Sequence, residues 1–254
     1  MAAAPYIVTT GVVLRETETK EADKILTVLT ADRGRVPVIA RGARRKGCKF
    51  AACAQPLVYS ELTLYHRGDW YYLNEGATLE LFGGLRSDLD ALALGFYCAE
   101  LTEAVTSEEV PAPELLRHLL NGLYALGTLH KPPALVKAAF ELKLLSLAGY
   151  EPLLDACAYC GAADPEQPLL DVVQGVLRCR ACGARESALS LPLCPDALAA
   201  ARHIVYGDPK RLYSFTLSQE PLKRLNAAAE AFVSAQLERK FRTLDFYKSL
   251  ESPR

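Results

Sequence analysis

Four cysteines carry the sharpest chemical signal in the sequence: Cys157-Ala-Tyr-Cys160 and Cys179-Arg-Ala-Cys182, with 18 residues between the pairs. A Cys-x-x-Cys turn presents two thiolates on one side of a tight loop. Two such turns close a tetrahedral sulfur cage with bonds of about 2.3 Å, the geometry of structural zinc. Gly161 and Gly183 directly follow the second cysteine of each pair, where the chain must turn beneath a metal. Four sulfur ligands leave no open position for a substrate. The expectation is one Zn2+ per chain in a structural role, on which folding of the surrounding insert depends. Cys48, Cys53, Cys98 and Cys194 are scattered, and Cys194 is expected to be a buried bystander. In a reducing compartment this distribution favours metal binding over a disulfide framework.

The second signal is basic. From Arg33 to Lys49 the chain carries Arg33, Arg35, Arg41, Arg44, Arg45, Lys46 and Lys49 and no acid. Arginine forks on a flexible backbone suit phosphate, and each contact adds to a salt-dependent affinity. The stretch Ala40-Arg-Gly-Ala-Arg-Arg-Lys-Gly47 holds two glycines and no evident core residue, so it reads as a mobile loop. A solvated basic loop without a ligand fits the same run. Tyr59, Tyr65, Trp70, Tyr71 and Tyr72 lie nearby, and single-strand binders pair a basic groove with stacking aromatics. Some of these rings must fill a core. A further basic group, Arg239, Lys240 and Arg242, follows the last long helical pattern and either extends this surface or solvates a helix end.

Other chemistry is missing from the sequence. It has no phosphate-binding glycine loop, no dinucleotide fingerprint, no His-Glu-x-x-His and no Gly-x-Ser-x-Gly. Asp88 and Asp90 read as helix-capping acids and not as a metal pair. Nothing assembles into a nucleophile–base or two-carboxylate site, so the reading is not an enzyme.

Two kinds of element must position these groups. The first 80 residues read as strands: Tyr6–Arg15, Lys24–Thr30, Val36–Ala40, Leu57–Tyr65, and then Trp70–Leu73 with Ala77–Phe82 paired across Asn74-Glu75-Gly76. Five or so short strands hide their edges by curling into a small barrel, of SH3-like or OB type. From Ser87 the period becomes helical, with helices expected near Leu89–Val105, Pro113–Leu126, Pro133–Ala148, Asp196–Val205 and Gln219–Leu237. Leu135, Ala139, Phe140, Leu142 and Leu145 read as core. The picture is an α+β chain: a barrel over residues 1–82, a helical domain over 83–254, and a cysteine-bearing insert at about 153–192.

Composition agrees with a globular protein: 254 residues, 50% hydrophobic and 23% charged. No apolar run approaches the roughly 18 residues that span a bilayer, and the N-terminus lacks a secretory pattern, so a cytoplasmic protein without membrane contact is expected. Net charge is −1, but it is unevenly spread. Residues 1–80 hold 11 Lys/Arg against 9 Asp/Glu, residues 81–201 hold 8 against 15, and residues 202–254 hold 10 against 6. Basic ends and an acidic middle fit an anionic ligand at one surface and a different partner at another.

Taken in order, the residues resemble the RecO family of bacterial recombination-repair mediators. The resemblance runs through Gly11-Val-Val-Leu14, Glu21-Ala-Asp-Lys-Ile-Leu-Thr27, Gly34-Arg-Val36, Ala40-Arg-Gly-Ala-Arg-Arg45 and Gln55-Pro56. It continues through Phe140-Glu-Leu-Lys143, Leu147-Ala-Gly-Tyr-Glu-Pro152, the two cysteine pairs, and Phe241-Arg-Thr-Leu-Asp-Phe246. It implies an N-terminal five-stranded OB-fold, a helical domain and a zinc-finger insert held by Cys157, Cys160, Cys179 and Cys182. It also implies binding of single- and double-stranded DNA, ATP-independent strand annealing, binding of RecR, and action on DNA coated with single-stranded-DNA-binding protein (SSB) to help load RecA. The basic loop Arg41–Lys49 matches the position of the family's DNA-binding loop. Two rival readings remain at this level: a zinc-ribbon scaffold for protein contact with little DNA affinity, and a repair nuclease or glycosylase, for which no acidic metal pair or general base is visible.

Overall fold

The computed structural model describes residues 6–19, 22–182 and 189–251. Gly183 and Arg185 lie outside them. The chain divides into two compact units. One runs to His130 and regains the segment from Phe241 onward; the other is Lys131–Lys240.

The first unit begins with β1 (Tyr6–Glu18), β2 (Lys24–Thr30), β3 (Gly34–Ala40), β4 (Tyr59–Arg67) and β5 (Trp70–Glu80). These close in the order β1-β2-β3-β5-β4, with β3 and β5 parallel and every other pair antiparallel. That order and the parallel closure select the OB barrel over the SH3-like alternative. Alternation along β3 is regular: Val36, Val38 and Ala40 point inward, and they meet Leu26, Val28, Leu62, Leu64, Tyr71 and Leu73 in the core.

The expected hairpin at Asn74-Glu75-Gly76 is corrected by the structure. Strand β5 runs straight through these residues, and the turn lies at Gly68-Asp69, with Gly68 at φ 63°. Gly76 is needed for a close approach and not for a turn. A Cβ there would stand 3.0 Å from the Cys53 sulfur, and the strand pair bulges nearby between Thr63 and Leu64. The basic stretch after β3 is also not a free loop. Residues 41–58 fold as a run of tight turns, with Arg45 N donating to Gly42 O at 2.9 Å and Cys48 N to Arg45 O at 3.1 Å. Gly42 N donates to the Asp23 carboxylate at 2.6 Å, and Ala43 and Ala54 are buried in the barrel core.

Helices α1 (Leu89–Val105) and α2 (Pro113–Gly127) complete the first unit with the C-terminal α6 (Arg242–Glu251). Asp88 caps α1 by accepting from the N–H groups of Asp90 and Ala91, which is the capping role expected of it. Helix α6 packs on α1: Tyr97 meets Phe241 edge-on at 5.7 Å, and Glu100 accepts from Thr243 N at 3.1 Å.

The second unit is built around α3 (Pro133–Leu147), whose Leu135, Ala139, Phe140, Leu142 and Leu145 are all buried. It packs against α4 (Pro195–Tyr206) and α5 (Gln219–Leu237). A small antiparallel sheet of β6 (Pro168–Asp171), β7 (Val176–Cys179) and β8 (Ser190–Pro192) carries the cysteine insert in the order β7-β6-β8. The β6–β7 hairpin links the two cysteine pairs, and β8 adds a third strand on the other side of β6.

Candidate functional site

Two sites stand out, one in each unit. In the second unit, the sulfurs of Cys157, Cys160, Cys179 and Cys182 all lie within 4.8 Å of one another, with Cys160 and Cys179 at 3.8 Å. A tetrahedral cage with metal–sulfur bonds of about 2.3 Å requires sulfur–sulfur edges of roughly 3.8 Å, so the set fits one metal ion. Gly161 turns the chain behind the first pair at φ 74°. Cys194 stands at the N-terminus of α4 and is not one of the four.

The protonation of the thiols follows from the crowding. Burial works to raise the Cys157 thiol, but backbone hydrogen bonds from Cys160, Tyr159 and Cys179 outweigh it and bring it down to about 6. The Cys179 N–H is 3.3 Å from this sulfur. Cys182 is pushed up to about 12 by hydrogen bonding with Cys179 and Cys160. Four thiolates this close cannot all ionise without a cation among them, and that is the electrostatic argument for a metal here.

Helix α4 braces the first knuckle. Arg202 donates to the carbonyls of Leu154 at 2.9 Å, Asp155 at 3.0 Å and Ala163, and to the Asp164 carboxylate at 2.8 Å. Tyr206 donates to Pro152 O and accepts from Leu154 N. No local motif announced these residues, because their partners lie 38 to 54 positions away. Arg178 is fully buried. Its guanidinium pairs with Asp171 at 2.6 Å and lies over the Tyr159 ring at 4.6 Å. Arg180 remains toward solvent, hydrogen-bonded to Gln167 at 3.1 Å.

In the first unit the basic run divides. Arg41, Arg45, Lys46 and Lys49 line one cleft of about 700 Å³ together with Phe50, Asn74, Glu75 and Gly76. Arg44 is directed elsewhere, to Glu18 at 3.4 Å and the Thr19 carbonyl at 3.1 Å. Arg33 sits 3.8 Å from Asp32, and Arg35 faces Glu103 and Glu108 at 3.7 and 3.6 Å. These acids belong to the end of α1 and to the turn after it, which pairs with β3 through a bridge between Arg35 and Glu108. Arg239, Lys240 and Arg242 are exposed, the first two at the end of the second unit and the third opening α6; none lines the cleft. Among the aromatics, Tyr71 points into the core with its hydroxyl on Glu109 at 2.8 Å. Burial first, and then this carboxylate, raise its pKa. Tyr65 and Tyr72 face outward and stack at 5.0 Å.

The fold and these sites define an OB-barrel protein with a basic cleft and a helical part bearing a four-cysteine knuckle. Residues 1–82 match the family described as Recombination protein O N terminal, and residues 86–245 match Recombination protein O C terminal. The chain is 31% identical over 246 residues to the DNA repair protein RecO of Acetivibrio thermocellus, covering 97% of this chain and 98% of that protein. It is 34% identical over 250 residues to the DNA repair protein RecO of Symbiobacterium thermophilum, with 96% and 97% covered. It is 36% identical over 234 residues to that of Anaeromyxobacter dehalogenans, with 91% of each covered. The chain belongs to the RecO family, and its role lies in DNA repair and recombination. Among the described residues, no helix is long and apolar enough to cross a membrane.

Proposed function

We propose that this chain is a recombination mediator and not an enzyme. In this reading it binds single- and double-stranded DNA, anneals complementary single strands without ATP and, with RecR, helps load RecA onto SSB-coated single strands in the cytoplasm at the nucleoid. The cleft of Arg41, Arg45, Lys46 and Lys49 supports the reading most directly. Annealing requires two phosphate backbones held with their repulsion reduced and their bases left free. Clustered cations meet the first condition, and weak, sequence-tolerant contacts meet the second. Duplex formation is downhill, so no nucleotide is required. The four-cysteine site is assigned to one structural Zn2+, whose bound charge would satisfy the crowded thiolates and fold the insert around it.

The test is annealing of two complementary labelled oligonucleotides by purified protein without nucleotide, with the strands naked and then precoated with SSB. Acceleration on both substrates is expected. No acceleration on naked strands by metal-loaded protein would overturn the reading in favour of a scaffold for protein contact.

A further inference from the structure

The outer face of the barrel beside the cleft carries a row of rings that the basic-cleft reading does not use. Strand alternation fixes the face. Leu64 and Tyr71 are buried in the core, so their neighbours Tyr65 and Tyr72 stand outside, directly opposite each other in the β4–β5 register. Tyr6 of β1 is paired with Tyr65 on the other side and is 60% exposed. Tyr65 and Tyr72 stack at 5.0 Å with 11° between their planes, and Tyr6 meets Tyr65 edge-on at 6.2 Å. The guanidinium of Arg41 lies over Tyr72 at 4.8 Å and closes the row. Arg41 also lines the cationic cleft, so cleft and row are one continuous surface.

We infer that this row is a base-stacking strip for single-stranded nucleic acid, running on from the phosphate-binding cleft. The inference rests on the reading that the cleft takes DNA phosphates. Tyr6 is exposed and Tyr65 and Tyr72 are half-buried, so the row presents contiguous ring surface to solvent, the kind of patch that marks a binding site. The chemistry of the partner is set by what adjoins them: cations at one end call for an anionic backbone, and flat π surfaces beside them call for planar bases. Tyr6 offers ring surface at one end, and the guanidinium held over Tyr72 offers a second stacking plane at the other. Stacking engages the face of a base and leaves its pairing edge free. A strand held this way stays competent to meet its complement, and a duplex, whose bases are already stacked on one another, gains nothing from the strip.

The test uses the full chain with metal bound and measures the fluorescence anisotropy of labelled oligo(dT) and of a hairpin duplex across a salt series. Threonine keeps strand propensity while removing the ring, so the variants are Tyr6→Thr and Tyr65→Thr, with Tyr6→Phe and Tyr65→Phe as conservative controls. Each Thr variant is expected to lose about 5- to 150-fold in single-strand affinity. Duplex affinity should stay within about twofold and the salt slope should be unchanged, because every phosphate-binding cation is still in place. The Phe variants are expected to bind as the parent does. Equal loss on both substrates, or no loss on either, overturns the strip; so does a loss confined to binding of a protein partner, which would make the face a protein-docking surface. The triple variant Arg45→Ala, Lys46→Ala, Lys49→Ala separates the two readings. An unchanged salt slope there removes the cleft itself as the DNA site, whereas a shallower slope with unaffected Tyr variants removes only the strip.

Discussion

At the scale of single residues, the two sites differ in how far each side chain is committed. Among the described residues no further side chain joins the four cysteines, so replacing one removes a ligand that no described neighbour supplies. Cys157→Ser is expected to lower bound metal from one equivalent per chain to well under half after mild chelation, measured by metal analysis of the gel-filtered protein. Lys137 tests the reverse situation, a buried charge already satisfied. It lies on α3 at 3.0 Å from both Glu141, which is fully buried, and Glu230. Burial alone would lower its pKa, but the two carboxylates outweigh it and raise the group above its ordinary 10.5. A cation raised in the folded state stabilises fully below its unfolded pKa and ceases to do so as pH rises through the folded value. Stability from this group should therefore hold from neutral pH to about 10 and fall beyond it. Lys137→Met is expected to cost about 3–5 kcal/mol in urea unfolding near pH 7, and adding Glu141→Leu should recover much of that loss. Had the second substitution deepened the loss, Glu141 would be stabilising the fold by some other route.

At the scale of elements, the barrel depends on the turn between α1 and α2. That turn hydrogen-bonds to the start of β3, with Arg35 N reaching Ser107 O at 3.4 Å and Glu109 N reaching Arg35 O at 3.1 Å. Gly34 lies at the contact with φ 60°, and a Cβ there would meet the Val110 carbonyl oxygen at 1.9 Å. Gly34→Ala should therefore destabilise the first unit by about 2 kcal/mol or more, read from the denaturation midpoint. The same turn explains why Arg35 differs from the cations after β3. Acids of α1 and the turn stand against Arg35, whereas Arg45, Lys46 and Lys49 face open space in the cleft. Replacing Arg45, Lys46 and Lys49 should make the salt dependence of single-strand binding shallower by about 0.7 in log–log slope for each phosphate left without its cation. Replacing Arg35 should leave that slope nearly unchanged.

At the scale of the whole molecule, the chain places the basic cleft and the four-cysteine cluster in separate compact units, and the last helix returns to the first of them. Metal removal should thus act unevenly. Chelation is expected to raise amide exchange across residues 153–182 and along β8, while the barrel strands keep their protection; hydrogen-exchange mass spectrometry resolves the two. Equal loosening of both would show that the units do not fold as independent bodies.

Much of the fold was legible because it is written locally. A Cys-x-x-Cys turn closes within four residues, Asp88 caps its own helix, and the apolar residues of α3 read as core, although the structure buries the helix on every side from Leu135 to Leu145. The sequence alone thus determined the four-cysteine set, five of the helices and a small barrel in the first unit, and the strand order then selected the OB type. Only the tertiary structure decided which cations share a cleft, that Arg178 is buried against Asp171, that Arg202 holds the cysteine knuckle, and that β5 continues through Asn74-Glu75-Gly76. Each of these depends on partners distant in the chain. A glycine that permits a turn and one that permits a neighbouring sulfur to approach are the same letter until the chain has folded.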